Sequence, residues 1–416
     1  MVFLVTLTVY CLSPVTNPTD SRWFVPTALA MIRAGNADLS AYPRVADDYR
    51  LSIGGGQVRT AFPLGTVVVA LPFVYAIDRA ADNVLGLDLV ALLQDIEQGG
   101  PTNSGIERFI ASLLVATTTL LVYRLACRLL PGLSWQPLLV AGVFAFATPA
   151  WSTASRALWQ HGPSMLMLTA ALSLLVAAEE RPWLASAAGV PLALSYFIRP
   201  TNAVSLLLLT GYVLGWRRRQ AVGYLLAAGI TAAVMLAVNV SYAGAAFPSY
   251  FAPGRLALHS RFLEALAGNL VSPARGLLVY SPVFVFAAWG LVLKRRGARW
   301  QALDGFIAAA VPLHWLAVSA YPQWWAGFSL GPRFMSDMTP YLVYFLIPAV
   351  GYLLGTGKGM GRAVALGFFL ALMLYSAWVH YGLATVFTAS EWNVWPQSVD
   401  VQPGRLWDWG DMPIFR

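Results

Sequence analysis

Arg217-Arg218-Arg219 is followed at residues 220–240 by QAVGYLLAAGITAAVMLAVNV, three cations and then 21 residues without a charge. An uncharged apolar run of this length matches the roughly 20 residues that a helix needs to span a bilayer. In lipid every backbone N–H and C=O must find a partner within the protein, so such a run is a helix. The strands of a membrane barrel would instead show short segments of alternating polarity. The cations at its start mark the cytoplasmic end of the crossing.

Working outward, apolar runs recur at about 2–13, 62–77, 106–128, 136–154, 163–178, 183–198, 201–216, 277–293, 303–320, 340–355 and 363–385. The fold expected is therefore all-α, a polytopic transmembrane bundle of about 11–12 helices. Composition agrees: 58% of the 416 residues are hydrophobic and 11% are charged, against about 25% charged in soluble domains. The net charge of +8 would suggest nucleic acid in a soluble chain. Here the Lys and Arg residues lie mostly in short loops between apolar runs, which is the pattern of membrane topology, and no nucleic-acid partner is expected. Cys11 and Cys127, the only cysteines, lie in or beside apolar runs, so no disulfide framework is expected. Val2 to Leu12 lacks a charged n-region and a small-residue cleavage site. It reads as a first membrane helix, short enough to suit a start further upstream, rather than as a signal peptide.

The basic loops are Arg124/Arg128, Arg181, Arg217-Arg218-Arg219, Lys294-Arg295-Arg296 with Arg299, and Lys358/Arg362. Placing them in the cytoplasm puts 155–162, 199–200, 243–275, 321–339 and the tail after 385 outside, in unbroken alternation from residue 106. Run 62–77 does not fit as a single crossing. Either it lies at the interface or re-enters, or a weak partner near 84–94 crosses back; the bracketing Pro63 and Pro72 and the interrupting Asp88 favour the first. Residues 1–385 are thus one membrane domain containing a long external loop, 14–105, and 386–416 form a short external tail. Within that loop Trp23, Phe24, Thr27, Ala28 and Met31 share one side of a helix, with Arg22 and Arg33 nearby, as in helices that lie along a membrane interface.

The internal loops are short and basic, whereas the external ones mix Trp, Tyr, His, Asp, Arg, Pro and Gly, so chemistry is expected on the external face. Asp20 follows the first run. It is either a general base for an acceptor hydroxyl, its basicity raised by partial desolvation, or the N-cap of the interfacial helix. Asp47-Asp48 is either a divalent-cation or acceptor site or a solvated pair, and Gly54-Gly55-Gly56 signals mobility or close backbone approach. Arg59, just before an apolar run, either reaches a lipid phosphate or anchors the interface. His161 opens another run and either binds substrate or is a satisfied structural histidine. Arg199, Arg275 and Arg333 lie at external helix ends, against the orientation rule. Together they suit a phosphate leaving group, and singly each suits snorkelling or a carboxylate pair. Trp324-Trp325, followed by Gly331-Pro332-Arg333 and Asp337, reads as a sugar-stacking loop or as an interface belt. No nucleotide motif is present, and His259, His314 and His380 show no metal-ligand spacing.

In the order of these features the chain resembles membrane glycosyltransferases of the type C fold, a group that includes protein O-mannosyltransferases and lipid A aminoarabinose transferases. The local matches are Asp20, the Trp324-Trp325…Gly331-Pro332-Arg333 loop and Ser272-Pro273-Ala274-Arg275-Gly276. The resemblance implies transfer of a sugar from a polyprenyl-phosphate carrier to an acceptor protein, lipid or glycan, with inversion, at the outer face of a bacterial-type inner membrane. Asp20 would take the place of the first-loop acidic residue and act as base or position the acceptor. Arg22, Asp47, Asp48, Arg59, His161, Arg199, Arg275, Trp324, Trp325 and Arg333 would contact substrate. His161 stands where the aminoarabinose branch carries an acidic residue. Family members often end in a soluble domain; here 391–416 follow the last run. No cofactor is required by the pattern, although Asp47-Asp48 permits a divalent cation. The rival functions are a transporter or flippase for a lipid-linked or anionic solute and a scaffold in envelope assembly. Transport fits less well, because the helix interiors are nearly free of charge.

Overall fold

The computed structural model describes residues 1–44, 48–96, 100–132, 135–297, 300–355, 357 and 359–416; Asp47, Arg299 and Lys358, named above, lie outside them. The chain is an all-α bundle. Its principal helices are α1 (Val2–Leu12), α2 (Phe24–Ala34), α3 (Gly65–Ala80), α4 (Pro101–Leu129), α5 (Gln136–Phe146), α6 (His161–Ala177), α7 (Gly189–Ile198), α8 (Ala203–Trp216) and α9 (Arg218–Val238). They continue with α10 (Phe262–Val271), α11 (Val285–Arg296), α12 (Ala302–Ser319), α13 (Thr339–Leu354) and α14 (Met360–Thr385). Among the described residues the one sheet is a hairpin, β1 (Leu51–Gly54) against β2 (Gln57–Thr60), with Leu51 opposite Thr60 and Gly54 opposite Gln57.

Among the described residues five helices are long and apolar enough to cross a membrane: 101–129, 218–243, 302–319, 333–354 and 360–385. The most telling is α9. Val222, Leu225, Leu226, Ile230 and Val234 are all exposed along it, and water would not tolerate that surface. A bilayer covers it, so the chain is a membrane protein. The other expected crossings fall on shorter apolar helices, α1, α5, α6 and α7 among them.

Close helix approach organises the interior. A Cβ placed on Gly290 of α11 would stand 1.9 Å from the carbonyl oxygen of Phe345 on α13. Without water to expel from between them, membrane helices associate through such small-residue contacts. The two ends of the bundle differ in kind. At one end the basic loops pair with nearby acids: Arg128 with Glu180 at 3.4 Å, Arg217 with Glu179, and Lys294 with Asp304 at 2.6 Å. The mixed polar loops expected outside converge at the other.

Residues 14–105 build a second core at that polar end. Helix α2 packs along α3 and is buried almost throughout, from Phe24 to Met31. It was expected to lie along an interface with one apolar side. Instead α3 and the preceding loop cover it, because its apolar residues occupy more than one side. The run at 62–77 is α3, whose far end is tied to α2 by Arg33–Asp78 at 2.6 Å. The glycine triplet is the hairpin turn: Gly55 and Gly56 have φ of 61° and 75°, the geometry that a two-residue turn between twisted strands demands. Nothing approaches these glycines closely, which corrects the expectation of close backbone contact. The stretch expected as external loop at 243–275 contains α10, and the tail is folded, with Trp392 and Arg405 buried.

Candidate functional site

Asp20 sits in a turn between α1 and α2 that is fastened on both sides. Ser21 donates to the buried carboxylate of Glu107, which also accepts from Asn103 at 2.8 Å and from the N–H of Leu158 at 3.2 Å. Arg50 donates to the Thr19 carbonyl at 3.2 Å. The chain before the turn is held by Arg156, wholly buried, which donates to the carbonyls of Ser13 at 2.7 Å and Tyr10 at 2.6 Å. Asp20 caps no helix, since the residue at the N-cap of α2 is Trp23. Its carboxylate instead accepts from Tyr49 Oη at 3.0 Å and is ion-paired with Arg333.

From Arg333 the polar groups run inward. Its Nε donates to His161 Nε2 at 3.2 Å, its Nη1 to the Ala326 carbonyl at 3.3 Å, and its guanidinium lies 4.1 Å from the ring centre of Trp159. His161 is fully buried, with Arg199 Nη1 lying 2.9 and 3.0 Å from its ring nitrogens. Arg199 Nε pairs with Asp337 at 2.9 Å and also donates to Thr201 at 2.9 Å. His161 Nδ1 lies 3.4 Å from Asp337 and His314 Nε2 lies 4.0 Å from it. Two carboxylates, two arginines and two histidines thus form one network.

This network opens into a cavity of about 720 Å³ lined by Asp20, Tyr49, Arg199, Tyr250, Arg255, Gln323, Arg333 and Asp400 among others. Phe62, Tyr196, Phe251, Val318 and Phe334 add an apolar and aromatic part to the lining. Burial pushes the Asp20 carboxyl up, but the charge and hydrogen bond of Arg333 and the hydroxyl of Tyr49 outweigh it and hold the group below the usual carboxylate range. Desolvation was expected to raise its basicity; in the folded chain the arginine reverses that.

The other expected site residues are distributed as follows. Asp20, Arg199 and Arg333 line the cavity, and His161 lies directly behind the two arginines. Arg275 does not line it. Fully buried, it donates to the carbonyls of Trp325 at 2.9 Å, Ala274 at 3.0 Å and Gly327 at 3.1 Å, and to Asn393 at 2.6 Å. Burial lowers its pKa to about 10, so it stays charged. Trp324 is buried against Gly268 of α10 and beside Trp407. Trp325 donates to Asp400 at 2.6 Å, and neither tryptophan ring lines the cavity. That loop faces the cavity instead with Gln323, Ala326, Gly327 and Phe328, through a turn in which Ala326 and Gly327 both take positive φ, 60° and 59°.

Arg22 is half-buried beside Asp48, Arg50 and Glu107, and burial lowers its pKa. Arg59 lies on β2, donates to Gln57 and does not reach the cavity. Asp48 has both oxygens engaged, by Trp23 Nε1 at 2.9 Å and by Arg50 Nε at 2.6 Å. Its neighbour Asp47 is outside the described residues, among which no group of three His, Cys, Asp or Glu could hold a metal ion.

Tyr49, Tyr250, Arg255 and Asp400 lie outside the sequence-marked constellations, whereas Gln323 directly precedes the Trp324-Trp325 pair of the expected binding loop. The four come from three separate segments, and no local spacing marks them. Asp337, four residues beyond Arg333 in the expected binding loop, pairs with Arg199.

The class defined so far is a membrane helical bundle with a polar, arginine-lined cavity at the end away from its basic loops. No family model, curated protein or solved structure matches the chain.

Proposed function

We propose that this chain is a membrane glycosyltransferase that moves a sugar from a polyprenyl-phosphate carrier to an acceptor hydroxyl on the external face of a bacterial-type inner membrane. The observation that carries the reading is that a carboxylate, Asp20, and two arginines, Arg199 and Arg333, line a single cavity whose lining is partly aromatic. A lipid-linked phosphate sugar has three parts with different needs. Its tail needs apolar surroundings, its phosphate needs cations, and the attacking hydroxyl needs a base. The external placement is supported by the basic loops at the opposite end, which the positive-inside rule assigns to the cytoplasm.

In the reaction the acceptor oxygen attacks the anomeric carbon while the bond from that carbon to the phosphate oxygen breaks. Asp20, ionised at neutral pH, takes the acceptor's proton. The electron pair of the broken bond stays on the phosphate, where Arg199 and Arg333 meet the developing charge. A single displacement inverts the anomeric centre. The phosphate competes with Asp20 for Arg333, so donor binding frees the carboxylate to act.

The test is turnover of radiolabelled polyprenyl-phosphate sugars by purified protein in detergent, with Asp20→Asn and Arg333→Ala as controls. Transfer or donor hydrolysis by the wild type that both variants lose supports the assignment. Uptake of a donor into sealed vesicles with no covalent change would overturn it in favour of a transporter or flippase.

A further inference from the structure

The tail after α14 folds back over the loop at 321–337 and gives the cavity a second carboxylate. Buried Arg405 gathers the tail, donating to the carbonyls of Trp392 at 2.9 Å, Gln397 at 2.5 Å and Trp395 at 3.1 Å and pairing with Asp411 at 2.9 Å. The tail is fastened to α10 and the turn after it by Ser272, which donates to the Leu406 carbonyl at 2.6 Å, and by Trp407, which donates to Glu264 at 3.2 Å. The result is Asp400 on the cavity wall, with one oxygen, Oδ1, accepting from Gln323 Nε2 at 2.7 Å and from Trp325 Nε1 at 2.6 Å.

We propose that Asp400, positioned by Gln323 and Trp325, is the subsite that holds the hydroxyls of the transferred sugar. The proposal rests on the donor reading above and extends it to a residue that determines sugar specificity. Two carboxylates line the cavity, and they differ in one respect. Asp20 is neutralised by Arg333, whereas Asp400, among the described residues, has only uncharged donors and leaves Oδ2 without a bond. The cations Arg199, Arg255 and Arg333 line the same space. A phosphate is therefore drawn to the arginines and repelled by Asp400, and a ligand with one anionic end and one polyhydroxyl end is oriented by that asymmetry. An ionised carboxylate is acceptor-only and makes strong bonds to hydroxyl donors. The loop that carries Arg333 also carries Gln323, so the phosphate and sugar ends are held by one stretch of chain.

Binding separates the two roles. Purified protein is titrated with polyprenyl-phosphate mannose, polyprenyl-phosphate glucose and sugar-free polyprenyl phosphate, using wild type, Asp400→Ala, Asp400→Asn and Arg333→Ala. The expected result is that Asp400→Ala weakens the preferred glycosylated ligand about tenfold or more, the scale of a lost charge-assisted bond, and leaves the sugar-free carrier within about twofold of wild type. Asp400→Asn, which keeps an acceptor oxygen for Gln323 and Trp325, falls between. Arg333→Ala weakens both kinds of ligand. Equal loss on both ligands for Asp400→Ala, or loss on neither, overturns the sugar subsite while leaving the donor reading intact. Failure of the wild type to bind any of the three overturns the donor reading, and the subsite with it.

Discussion

The guanidinium of Arg333 is ion-paired with the carboxylate of Asp20 across 313 positions of sequence. Each residue has further partners. Asp20 is further held by Tyr49, and Arg333 by His161 and the Ala326 carbonyl. The pair lines the cavity and joins the turn between α1 and α2 to the loop between α12 and α13.

Asp20→Asn is expected to lower transfer by about 10²- to 10⁴-fold, the usual contribution of a general base, while the protein still inserts and folds, with an unfolding temperature lowered only by the loss of the Arg333 pair. Steady-state transfer beside a thermal-unfolding curve in detergent checks this. Normal turnover in the variant removes Asp20 as base.

Stability should fall in acid. Asp20, Asp48, Glu264 and Asp411 are all held below their ordinary pKa, by arginine partners that outweigh burial in the aspartates and lead in Glu264. A carboxyl with a lower pKa folded than unfolded binds more protons when unfolded, so its stabilisation is present above about pH 4.3 and lost as pH drops through the folded value. The part of the stability that these four pairings supply should be lost below about pH 4, read as a smaller acid-induced drop in unfolding temperature for Asp48→Asn and Asp411→Asn than for wild type. An acid-induced drop of wild-type size in both variants would contradict these pairings.

Gly290→Ala is expected to disrupt the bundle, because the added methyl meets backbone that cannot turn aside, at 1.9 Å from Phe345 O. The cost should be at least the 1–3 kcal/mol or so typical of overpacking, seen as aggregation on detergent size exclusion or a lower unfolding temperature. Gly367→Ala, on α14 where nothing lies within 4 Å of the new atom, is the control and should be silent.

Arg275→Ala is expected to loosen the tail and the loop together. It strips donors from the carbonyls of Trp325, Ala274 and Gly327 and from Asn393, each worth about 1–3 kcal/mol if left buried and unpaired. Limited proteolysis should cut the 386–416 segment faster than in wild type. A variant that loses phosphate binding with an intact, resistant tail would place Arg275 at the ligand instead.

Much of the bundle was legible from sequence. An apolar run such as 220–240 can bury its backbone only as a helix, and the local sequence fixes that regardless of what packs beside it. The runs at 201–216, 303–320, 340–355 and 363–385 emerge as helices within a few residues of those bounds. The site was legible only in part. Asp20 stood out as a carboxylate just after the first apolar run, and Arg199 and Arg333 because the orientation rule expects positive charge at the opposite helix ends. Arg275 stood out for the same reason, yet it ties loops together away from the cavity. A buried cation bonded to carbonyls and one facing a cavity leave the same mark on the sequence.

The sequence alone therefore determined the class of structure and the end of the bundle where mixed polar residues gather, because hydropathy and charge act residue by residue. Only the tertiary structure decided which polar groups meet. Asp20 pairs with Arg333, Arg199 with Asp337, and Asp400 arrives from a tail expected to be a mere appendage. Those choices depend on distances between loops far apart in the chain, set by how the helices pack, and no local pattern carries that information.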